Sequence, residues 1–574
     1  MFEEESDSVP VAPQFAEEGF TPFPTHVVEE YRRRGLWGGR SLPAELADAA
    51  HDHAHRVALI TPEVRLTYRE LFDMATQFGS GIRAGTELRV GDAVMFQMGN
   101  VAETVVAYLG CLVAGVRPVC TLPQHGEREV TLLADHVGAK ALFIQADFGR
   151  GEALAIARSL LDRGAVGTVV VARGEPAPGT VSFEEIMRIG GAAPAPDAVD
   201  PHQIAVFQLS GGTTGLPKVA PRLHEEYVYN SKAWATALGW SPETAVLYPL
   251  PLLHNAGIAL ALQPALLSGA SIILAPNARI DLLLDLIESE RPTTLPLVPP
   301  ALAIRLLEEP RSRTADLSSI RDFIVGGQRL PVEIAERLRD ELGISVRQMF
   351  GMAEGMFLIT PDHGSEALRF HTVGHPISPA DEIRILEVGG TSEVPCGEVG
   401  EFCARGPYTI RGYYRAAQHN TDAFTEDGFY RTGDLARVQE VDGMTVYSIE
   451  GRIKDVINRG AEKIHAEEVE ELILRHPDVT NAALVAMPDD VLGERACVYL
   501  ILEENASELT VRALGEFLLG QGLAKYKLPE RVETLDQFPL SNVGKVSKKA
   551  LREHISNALL AERENRDSPA VGAR

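Results

Sequence analysis

Residues 67–97 read TYRELFDMATQFGSGIRAGTELRVGDAVMFQ, a helix-like segment followed by a strand-like one. Thr67 and Glu70 form a capping-box pattern, which satisfies backbone N–H groups at the start of a helix. Ala93–Gln97 is a short apolar run with the length of a buried strand. Between them, apolar residues recur at helical spacing: Leu71, Met74, Ala75, Phe78 and Ile82. The stretch therefore predicts one helix-to-strand step of an α/β fold.

The same alternation continues along the chain. Apolar strand-like runs occur at 168–172 and 271–274, with helical patterns between them, which is typical of parallel α/β sheets. The very apolar stretch 257–275 is broken by polar residues and predicts a buried helix followed by a strand. The last part of the chain predicts a small α+β domain, with a helix at 467–474, strands at 482–486 and 496–502, and a helix capped by Thr510.

The composition is that of a globular protein too long for one core, with 574 residues, 45% of them hydrophobic and 23% charged. The 54 basic and 80 acidic residues leave a net charge of −26, which argues against nucleic-acid and membrane partners. Five cysteines without a C-x-x-C pair, and an acidic N-terminus without an apolar leader, predict a cytoplasmic protein. We expect a disordered tail at 1–15, a large domain at 16–453, a small domain at 454–560 and a second disordered tail at 561–574.

Residues 209–218 read LSGGTTGLPK, with three glycines, three hydroxyl groups and one lysine. Glycines let backbone N–H groups approach an anion closely, and hydroxyl groups and a lysine add donors and positive charge. The spacing is not that of a Walker A loop. A flexible surface loop is the alternative interpretation. The candidate polyphosphate-binding residues are Ser210, Gly211, Gly212, Thr213, Thr214, Gly215 and Lys218.

Further islands follow in order: LHN at 253–255, GGQ at 326–328, FGMAEG at 350–355, YRTGD at 430–434, GRIKD at 451–455 and PLSNVGKV at 539–546. Together these islands resemble the adenylate-forming superfamily of acyl-CoA synthetases, luciferases and nonribosomal peptide synthetase adenylation domains. The likeness is greatest to free-standing aryl-acid adenylating enzymes such as the 2,3-dihydroxybenzoate–AMP ligases. It also includes FTPFP at 20–24, RGPYTIRGYY at 405–414 and INRGAEKI at 457–464.

The resemblance implies both a fold and a reaction. The fold is a large N-terminal domain of stacked α/β sheets with a distorted β-barrel subdomain, followed by a small mobile C-terminal α+β domain. The reaction uses ATP and Mg²⁺ to convert an aromatic carboxylic acid to acyl-AMP, with release of pyrophosphate. The acyl group then passes to the phosphopantetheine thiol of a separate aryl or peptidyl carrier protein, or alternatively to free CoA. An inactive nucleotide-binding scaffold is a third possibility, although the motif residues are intact.

The resemblance also implies residue roles. Lys545 would bridge the acid carboxylate and the α-phosphate as negative charge develops. His254 would either order the pocket beside that carboxylate or be a core histidine with satisfied hydrogen bonds. Glu354 would bind Mg²⁺, since a hard cation prefers carboxylate oxygen. Lys454 would be the hinge of the small domain. The remaining nucleotide-binding residues would be Gly327, Gly351, Met352, Ala353, Asp434, which would bind the ribose hydroxyls, and Arg452. The alternative interpretation is that these residues have ordinary structural roles at the surface, in a turn or in an ion pair.

Asn255 bears on the identity of the acid. Amino-acid-activating relatives have an aspartate there that pairs with the α-ammonium group, and an amide cannot neutralise an ammonium. We therefore expect an acid with a hydroxyl or a ring nitrogen instead. The candidate acid-binding residues are Asn255, Ala256, Leu260, Gly326, Gly327, Gln328 and Phe357.

Three of these residues depart from the dihydroxybenzoate pattern. Ala256 removes ring volume from one wall, and Leu260 would leave a second hydroxyl unpaired at a cost of ~1–3 kcal/mol. Gln328 adds an amide, while Phe357 partly refills the space. These changes predict a reshaped or larger ring than 2,3-dihydroxybenzoate, such as a hydroxypicolinate, a hydroxyanthranilate or a bicyclic quinoline- or quinoxaline-type carboxylate. Salicylate also remains open.

Overall fold

The computed structural model describes residues 17–149, 151–191, 198–210, 217–459, 462–489, 492–504, 506–540 and 546–567. The expected tail at 1–15 lies outside these ranges. So do several predicted site residues: Gly211, Gly212, Thr213, Thr214, Gly215 and Lys545. No helix within the described ranges has the length and apolar character needed to cross a membrane.

The first part of the chain builds a sheet with the strand order β7-β6-β5-β3-β4-β8-β9. Its neighbouring strands are parallel except for the antiparallel pair β8 and β9. The elements are α1 (Thr25–Arg33), α2 (Leu42–Asp52), β1 (Val57–Ile60), β2 (Arg65–Thr67), α3 (Tyr68–Gly85), β3 (Ala93–Gln97), α4 (Ala102–Ala114), β4 (Arg117–Val119), α5 (Glu127–Val137), β5 (Ala141–Gln145), α6 (Glu152–Asp162), β6 (Thr168–Ala172), β7 (Val181–Ser182), α7 (Phe183–Ile189), β8 (Ile204–Ser210) and β9 (Lys218–Leu223).

The second sheet has the order β16-β15-β14-β13-β12-β10-β11-β1-β2 and is parallel from β1 to β14 along that path. Its further elements are α8 (His224–Ala237), β10 (Ala245–Tyr248), a π-helical turn (Gly257–Leu262), α9 (Gln263–Leu267), β11 (Ser271–Leu274), α10 (Ile280–Glu290), β12 (Thr294–Val298), α11 (Pro300–Glu308), a 3-10 turn (Pro310–Arg313), β13 (Asp322–Gly326), α12 (Val332–Leu342), β14 (Val346–Met352), β15 (Met356–Ile359), α13 (Glu366–His371) and β16 (His375–Pro376).

Helices α3, α4 and α8 contribute to one apolar core that both sheets share, including Phe78, Phe96, Trp234, Ile258 and Ile272. The predicted stacking of α/β sheets is therefore confirmed. The capping box at Thr67 is present, and the strands predicted at 93–97, 168–172 and 271–274 have those bounds.

A third, antiparallel sheet follows with the order β17-β18-β19-β20. It consists of β17 (Glu382–Leu386), β18 (Val399–Arg405), β19 (Tyr430–Val441) and β20 (Met444–Arg452), with α14 (Ala417–Ala423) before β19. The resemblance implies a distorted β-barrel subdomain in this part of the chain. The described strands here form an open four-stranded sheet, in which the first and last strands of the order, β17 and β20, are not neighbours. Asp442 and Gly443 turn the β19–β20 hairpin with positive φ angles of 53° and 75°.

The small domain contains a sheet in which β24 pairs with β21, β23 and β25. Its elements are a 3-10 turn (Ile453–Asp455), β21 (Ile457–Arg459), β22 (Glu462–Ile464), α15 (Ala466–Ile473), β23 (Val479–Asp489), β24 (Gly493–Leu502), α16 (Val511–Gly520), a 3-10 turn (Lys525–Lys527), β25 (Arg531–Thr534) and α17 (Lys548–Asp567). The predicted α+β architecture is confirmed. Helix α17 continues beyond Leu560, where the second tail was expected to begin.

Helix α15 lies against the large domain. Arg329 Nη1 is 2.9 Å from Glu471 Oε2, and Arg475 Nε is 3.8 Å from Glu333 Oε1. Arg329 directly follows the Gly-Gly-Gln segment that the resemblance assigns to acid binding. The small domain therefore contacts the large one next to the candidate site.

Candidate active site

The described site residues lie where strands of the large domain end. β8 ends at Ser210 and β9 begins at Lys218, and these two residues pair across the strands. β13 ends at Gly326, and the exposed Gly327 and Gln328 follow it. Ligands of parallel α/β sheets bind at the carboxyl ends of the strands, so the ends of β8 in the first sheet and β13 in the second are the expected places for a nucleotide.

Glu354 is the centre of a buried cluster. Its side chain accepts a hydrogen bond from the Tyr413 hydroxyl, which lies 2.7 Å from the Tyr430 hydroxyl. Lys218 Nζ is 5.0 Å from the centroid of the Tyr413 ring. Burial lowers the pKa of Lys218, and the negative charge of Glu354 opposes this shift. The predicted phosphate-binding lysine and the predicted metal-binding carboxylate thus belong to one cluster.

Arg222 ties the turn that carries Glu354 to strand β9. Its side chain is fully buried and pairs with Glu226 through two hydrogen bonds of 2.8 and 2.9 Å. It also donates to the carbonyl oxygens of Ala353 and Tyr408, both at 3.1 Å. A buried charge is tolerated when it is paired and fully hydrogen-bonded, and these contacts meet that requirement. Glu354 is therefore held at a fixed position relative to the strand that begins with Lys218.

The residue after Glu354 can only be glycine. Gly355 has a φ angle of +95°, and a Cβ atom there would lie 1.7 Å from the Tyr408 carbonyl oxygen. This close approach packs the FGMAEG turn against the segment at 405–414. Two islands that are far apart in the sequence are thereby joined.

Asp434 and Arg452 face each other across strands β19 and β20. They pair in register, and Arg452 Nε is 3.0 Å from Asp434 Oδ1. The Asp434 side chain is 11% exposed, so the carboxylate lies just below the surface. Lys454 follows in the 3-10 turn, and its pKa is lowered by burial and by the charge of Arg452. The predicted ribose ligand and the predicted hinge are therefore neighbours.

His254 and Asn255 lie just before the π-helical turn that follows β10 in the sequence. His254 Nδ1 accepts a hydrogen bond of 3.3 Å from the backbone of Ala256, so the neutral ring presents its proton at Nε2. Asn255 is buried and lies 3.5 Å from the Met352 carbonyl oxygen, measured from Nδ2. The predicted acid-binding and nucleotide-binding segments thus meet at Asn255 and Met352.

The wall of the candidate acid pocket contains the π-helical turn at 257–262. The Leu260 carbonyl in this turn accepts a hydrogen bond of 3.1 Å from the Trp234 indole. The Trp234 ring packs edge-on against Phe357 at 5.8 Å between centroids, and Phe357 pairs with Gly351 across β14 and β15. The sequence predicts a helix here but not its π-helical geometry, which is rare and often found at functional sites.

Sequence reasoning missed the residues that hold this site together: Arg222, Tyr227, Tyr413 and Tyr430. Tyr413 and Tyr430 stand inside the islands at 405–414 and 430–434, which is a signal that could have been used. Their partners come from distant parts of the chain, so the hydrogen bonds themselves leave no local pattern.

A family model described as AMP-binding enzyme matches residues 46–414, and one described as AMP-binding enzyme C-terminal domain matches residues 468–545. The chain belongs to the AMP-binding enzyme family. A 2,3-dihydroxybenzoate-AMP ligase of Bacillus subtilis strain 168 is 38% identical, covering 95% of this chain and 99% of the relative. A salicylyl-CoA synthase / salicylate adenylyltransferase of a Streptomyces species is 38% identical, covering 94% of this chain and 98% of the relative.

Among solved structures, apo MbtA of Mycobacterium smegmatis matches this AMP-binding enzyme with a TM-score of 0.71 and 36% identity. The match covers 93% of this chain and 98% of MbtA. The resemblance read from the sequence islands is thus confirmed at the level of the family and the fold.

Proposed function

We propose that this AMP-binding enzyme activates an aromatic carboxylic acid with ATP. An oxygen of the acid carboxylate forms a bond to the α-phosphorus, the bond from that phosphorus to the β-phosphate bridging oxygen breaks, and pyrophosphate leaves. The products are an acyl-adenylate and pyrophosphate. The observation that carries the proposal is that the two predicted parts of the site meet. Asn255 contacts the carbonyl oxygen of Met352, and Met352 stands two residues before Glu354, whose charge acts on Lys218.

The nucleotide side of the site fits a polyphosphate and a magnesium ion. Lys218 supplies positive charge beside the paired Ser210, and the Tyr413 bond fixes one oxygen of the Glu354 carboxylate. Mg²⁺ typically binds one or two protein carboxylates together with phosphate oxygens, so the buried Glu354 fits as its protein ligand. When bound, the ion would neutralise negative charge on the phosphates. Asp434 would accept hydrogen bonds from the ribose hydroxyls.

Negative charge develops at the α-phosphate during this reaction. A further cation is needed beside it, and we assign this role to Lys545. Preorganised positive groups at the place where charge develops are the main source of catalysis in such reactions. His254 would order the acid carboxylate through its Nε2 proton. Lys454 would let the small domain reorient between activation and transfer.

For the acid itself, we propose a ring that differs from 2,3-dihydroxybenzoate. Ala256 is small and buried, and Leu260 puts an apolar residue into the π-helical wall. Together they favour an apolar or larger ring surface over a second hydroxyl, which would be left without a partner. The exposed Gln328 would supply an amide at the open end of the pocket.

For the acceptor, we propose a carrier protein supplied in trans, with its phosphopantetheine thiol attacking the acyl carbonyl and displacing AMP. Free CoA is the second candidate, since one relative is named both as a CoA synthase and as an adenylyltransferase. The acidic net charge of −26 disfavours the extra phosphates of CoA. The five cysteines form no disulfide, which fits a cytoplasmic site of action.

The test is acid-dependent ATP–pyrophosphate exchange over a panel of monocyclic and bicyclic aromatic acids, with amino acids and aliphatic acids as controls. We expect exchange with aromatic acids, and a higher kcat/KM for at least one other member than for 2,3-dihydroxybenzoate. Highest activity with 2,3-dihydroxybenzoate would refute the proposed ring. Exchange with amino acids alone would refute aromatic acids altogether. Comparing holo-carrier with CoA as acceptor then separates the two transfer reactions.

A further inference from the structure

His419 brings a second nitrogen-bearing side chain to the cluster around Glu354. It lies on α14, and its ring packs against the Tyr413 ring with 5.3 Å between the centroids. Lys218 Nζ is 5.0 Å from the centroid of the same Tyr413 ring. The Tyr413 hydroxyl also donates the hydrogen bond that holds Glu354. The His419 imidazole therefore stands beside the residues that we assign to the polyphosphate and to Mg²⁺.

Asn420 sets the position of His419 relative to this cluster. Its side-chain amide accepts a hydrogen bond of 2.8 Å from the Tyr413 backbone nitrogen and donates one of 2.9 Å to the Tyr413 carbonyl oxygen. Because one planar amide makes both bonds to one residue, the start of α14 has little freedom to shift. The backbone that carries His419 is thus tied to the residue that holds Glu354.

One polar atom of the His419 ring is left without a partner. Nε2 is buried, and it has no hydrogen-bond partner among the residues that the structure describes. A buried nitrogen in this state carries a desolvation cost that a hydrogen bond would recover. A ligand that offers an acceptor atom at this place would therefore gain a hydrogen bond from Nε2.

The surrounding charges indicate that this ligand is an anion. Burial lowers the pKa of His419, and the charge of Lys218 lowers it further. The charges of Asp422 and Glu354 oppose the shift, and Glu354 has the weakest influence of the three. His419 is thus on the Lys218 side of the cluster, where an ammonium group repels a metal ion and attracts a phosphate. The neutral ring carries one N–H group that it can donate.

We propose that His419 is a further phosphate-binding residue, whose Nε2 donates a hydrogen bond to the β- or γ-phosphate of ATP beside Lys218. This assignment rests on the proposed function, in which Lys545 faces the α-phosphate and Asp434 binds the ribose. Those roles leave the two outer phosphates to Lys218 and His419. The same contact would hold pyrophosphate as it forms.

The first test compares ATP with AMP, which lacks the two outer phosphates. Calorimetry in the presence of Mg²⁺ would give Kd for each nucleotide with wild type, His419→Leu and Gln418→Leu. Gln418 is the exposed residue before His419 on the same helix, so its variant is the matched control. We expect His419→Leu to raise Kd for ATP by about tenfold to a hundredfold, the range for a hydrogen bond to a charged group. Kd for AMP should stay unchanged, and Gln418→Leu should bind both nucleotides like wild type.

The outcomes separate the role of His419 from the proposed function. An unchanged Kd for ATP in His419→Leu would overturn the assignment and leave acid activation intact. Equal weakening of ATP and AMP would also overturn it, because the ring would then only support the fold around Tyr413. Failure of wild type to bind ATP would overturn the proposed function, and the assignment with it. Pyrophosphate exchange by wild type with no aromatic acid would refute the proposed acid alone.

A second pair of variants keeps a polar side chain in case His419→Leu does not fold. Glutamine places its amide nitrogen near the position of Nε2, whereas asparagine places it near the position of Nδ1, one bond closer to the backbone. Both amides can donate to a phosphate. We expect His419→Gln to bind ATP nearly as tightly as wild type, and His419→Asn to bind it about tenfold more weakly. Equal Kd values for ATP in the two variants would show that the Nε2 position makes no contact, which would overturn the assignment.

Discussion

Single residues carry much of the proposed chemistry, and each acts through a contact that holds it in place. Glu354 is fixed by Tyr413, and Asp434 by Arg452. These contacts position the charges before a ligand arrives, which avoids reorganisation during the reaction. Burial raises the free-energy cost of each charge, and the partner beside the charge offsets that cost.

We expect Lys545→Ala to lower acid-dependent pyrophosphate exchange by ~10²-fold or more, because it would remove the positive group that we assign to the place where charge develops. Lys549→Ala is the matched control, since Lys549 is an exposed lysine nearby on α17 that pairs with Glu553 at 3.9 Å. The control should exchange pyrophosphate like wild type. Near-wild-type exchange by Lys545→Ala would show that another group supplies the charge.

At the scale of elements, strands β14 and β15 are packed so closely that one position has little room for a side chain. A Cβ atom on Gly351 would lie 2.5 Å from Cδ1 of Phe357, its partner on the neighbouring strand. Phe357 in turn packs against Trp234 of α8. The strand pair thereby links the proposed nucleotide-binding segment to the wall of the candidate acid pocket.

Gly351→Ala should therefore lower the free energy of unfolding by about 1–3 kcal/mol, as overpacking of a core usually does. The additional substitution Phe357→Leu removes the ring that the new methyl group would meet. Chemical denaturation of both single variants and the double variant would measure the coupling. We expect the double variant to be more stable than the sum of the single effects predicts, and strict additivity would rule out the clash.

Elements with a regular period could be predicted from the sequence, whereas their contacts could not. Ala93–Gln97 and the helix that follows Thr67 were predicted because burial imposes a spacing that the sequence records. The bond from Tyr413 to Glu354 joins residues 59 positions apart, and no local spacing encodes it. The islands to which we assign nucleotide binding could be recognised by their composition and order, but their supporting residues depend on how distant segments pack.

On the scale of the whole molecule, the contact between the domains includes a carboxyl group with an altered pKa. Glu467 on α15 lies 3.5 Å from the position that a side chain on Gly451 would occupy. Burial raises the pKa of Glu467 to about 7, and the charge of Lys548 opposes the shift. The folded protein thus holds this proton at a higher pH than the unfolded chain does.

The sign of the pH effect follows from this shift. The stabilisation is fully present below the unfolded pKa near 4.5 and is lost as the pH rises through about 7. Glu467→Gln is uncharged at every pH, so we expect it to raise the midpoint of thermal unfolding at pH 8 and to change it little at pH 5. Glu468→Gln on the exposed side of α15 is the control. An equal effect of Glu467→Gln at both pH values would contradict the prediction.

The π-helical turn at 257–262 offers a different way to alter substrate choice. A π-turn closes its hydrogen bonds over one residue more than an α-helical turn does. The wall of the candidate acid pocket would thus depend on how many residues the turn contains as well as on which residues they are. Relatives that differ by one residue in this stretch would present Ala256 and Leu260 at a different angle, so chain length becomes a variable in the evolution or design of new acid specificities.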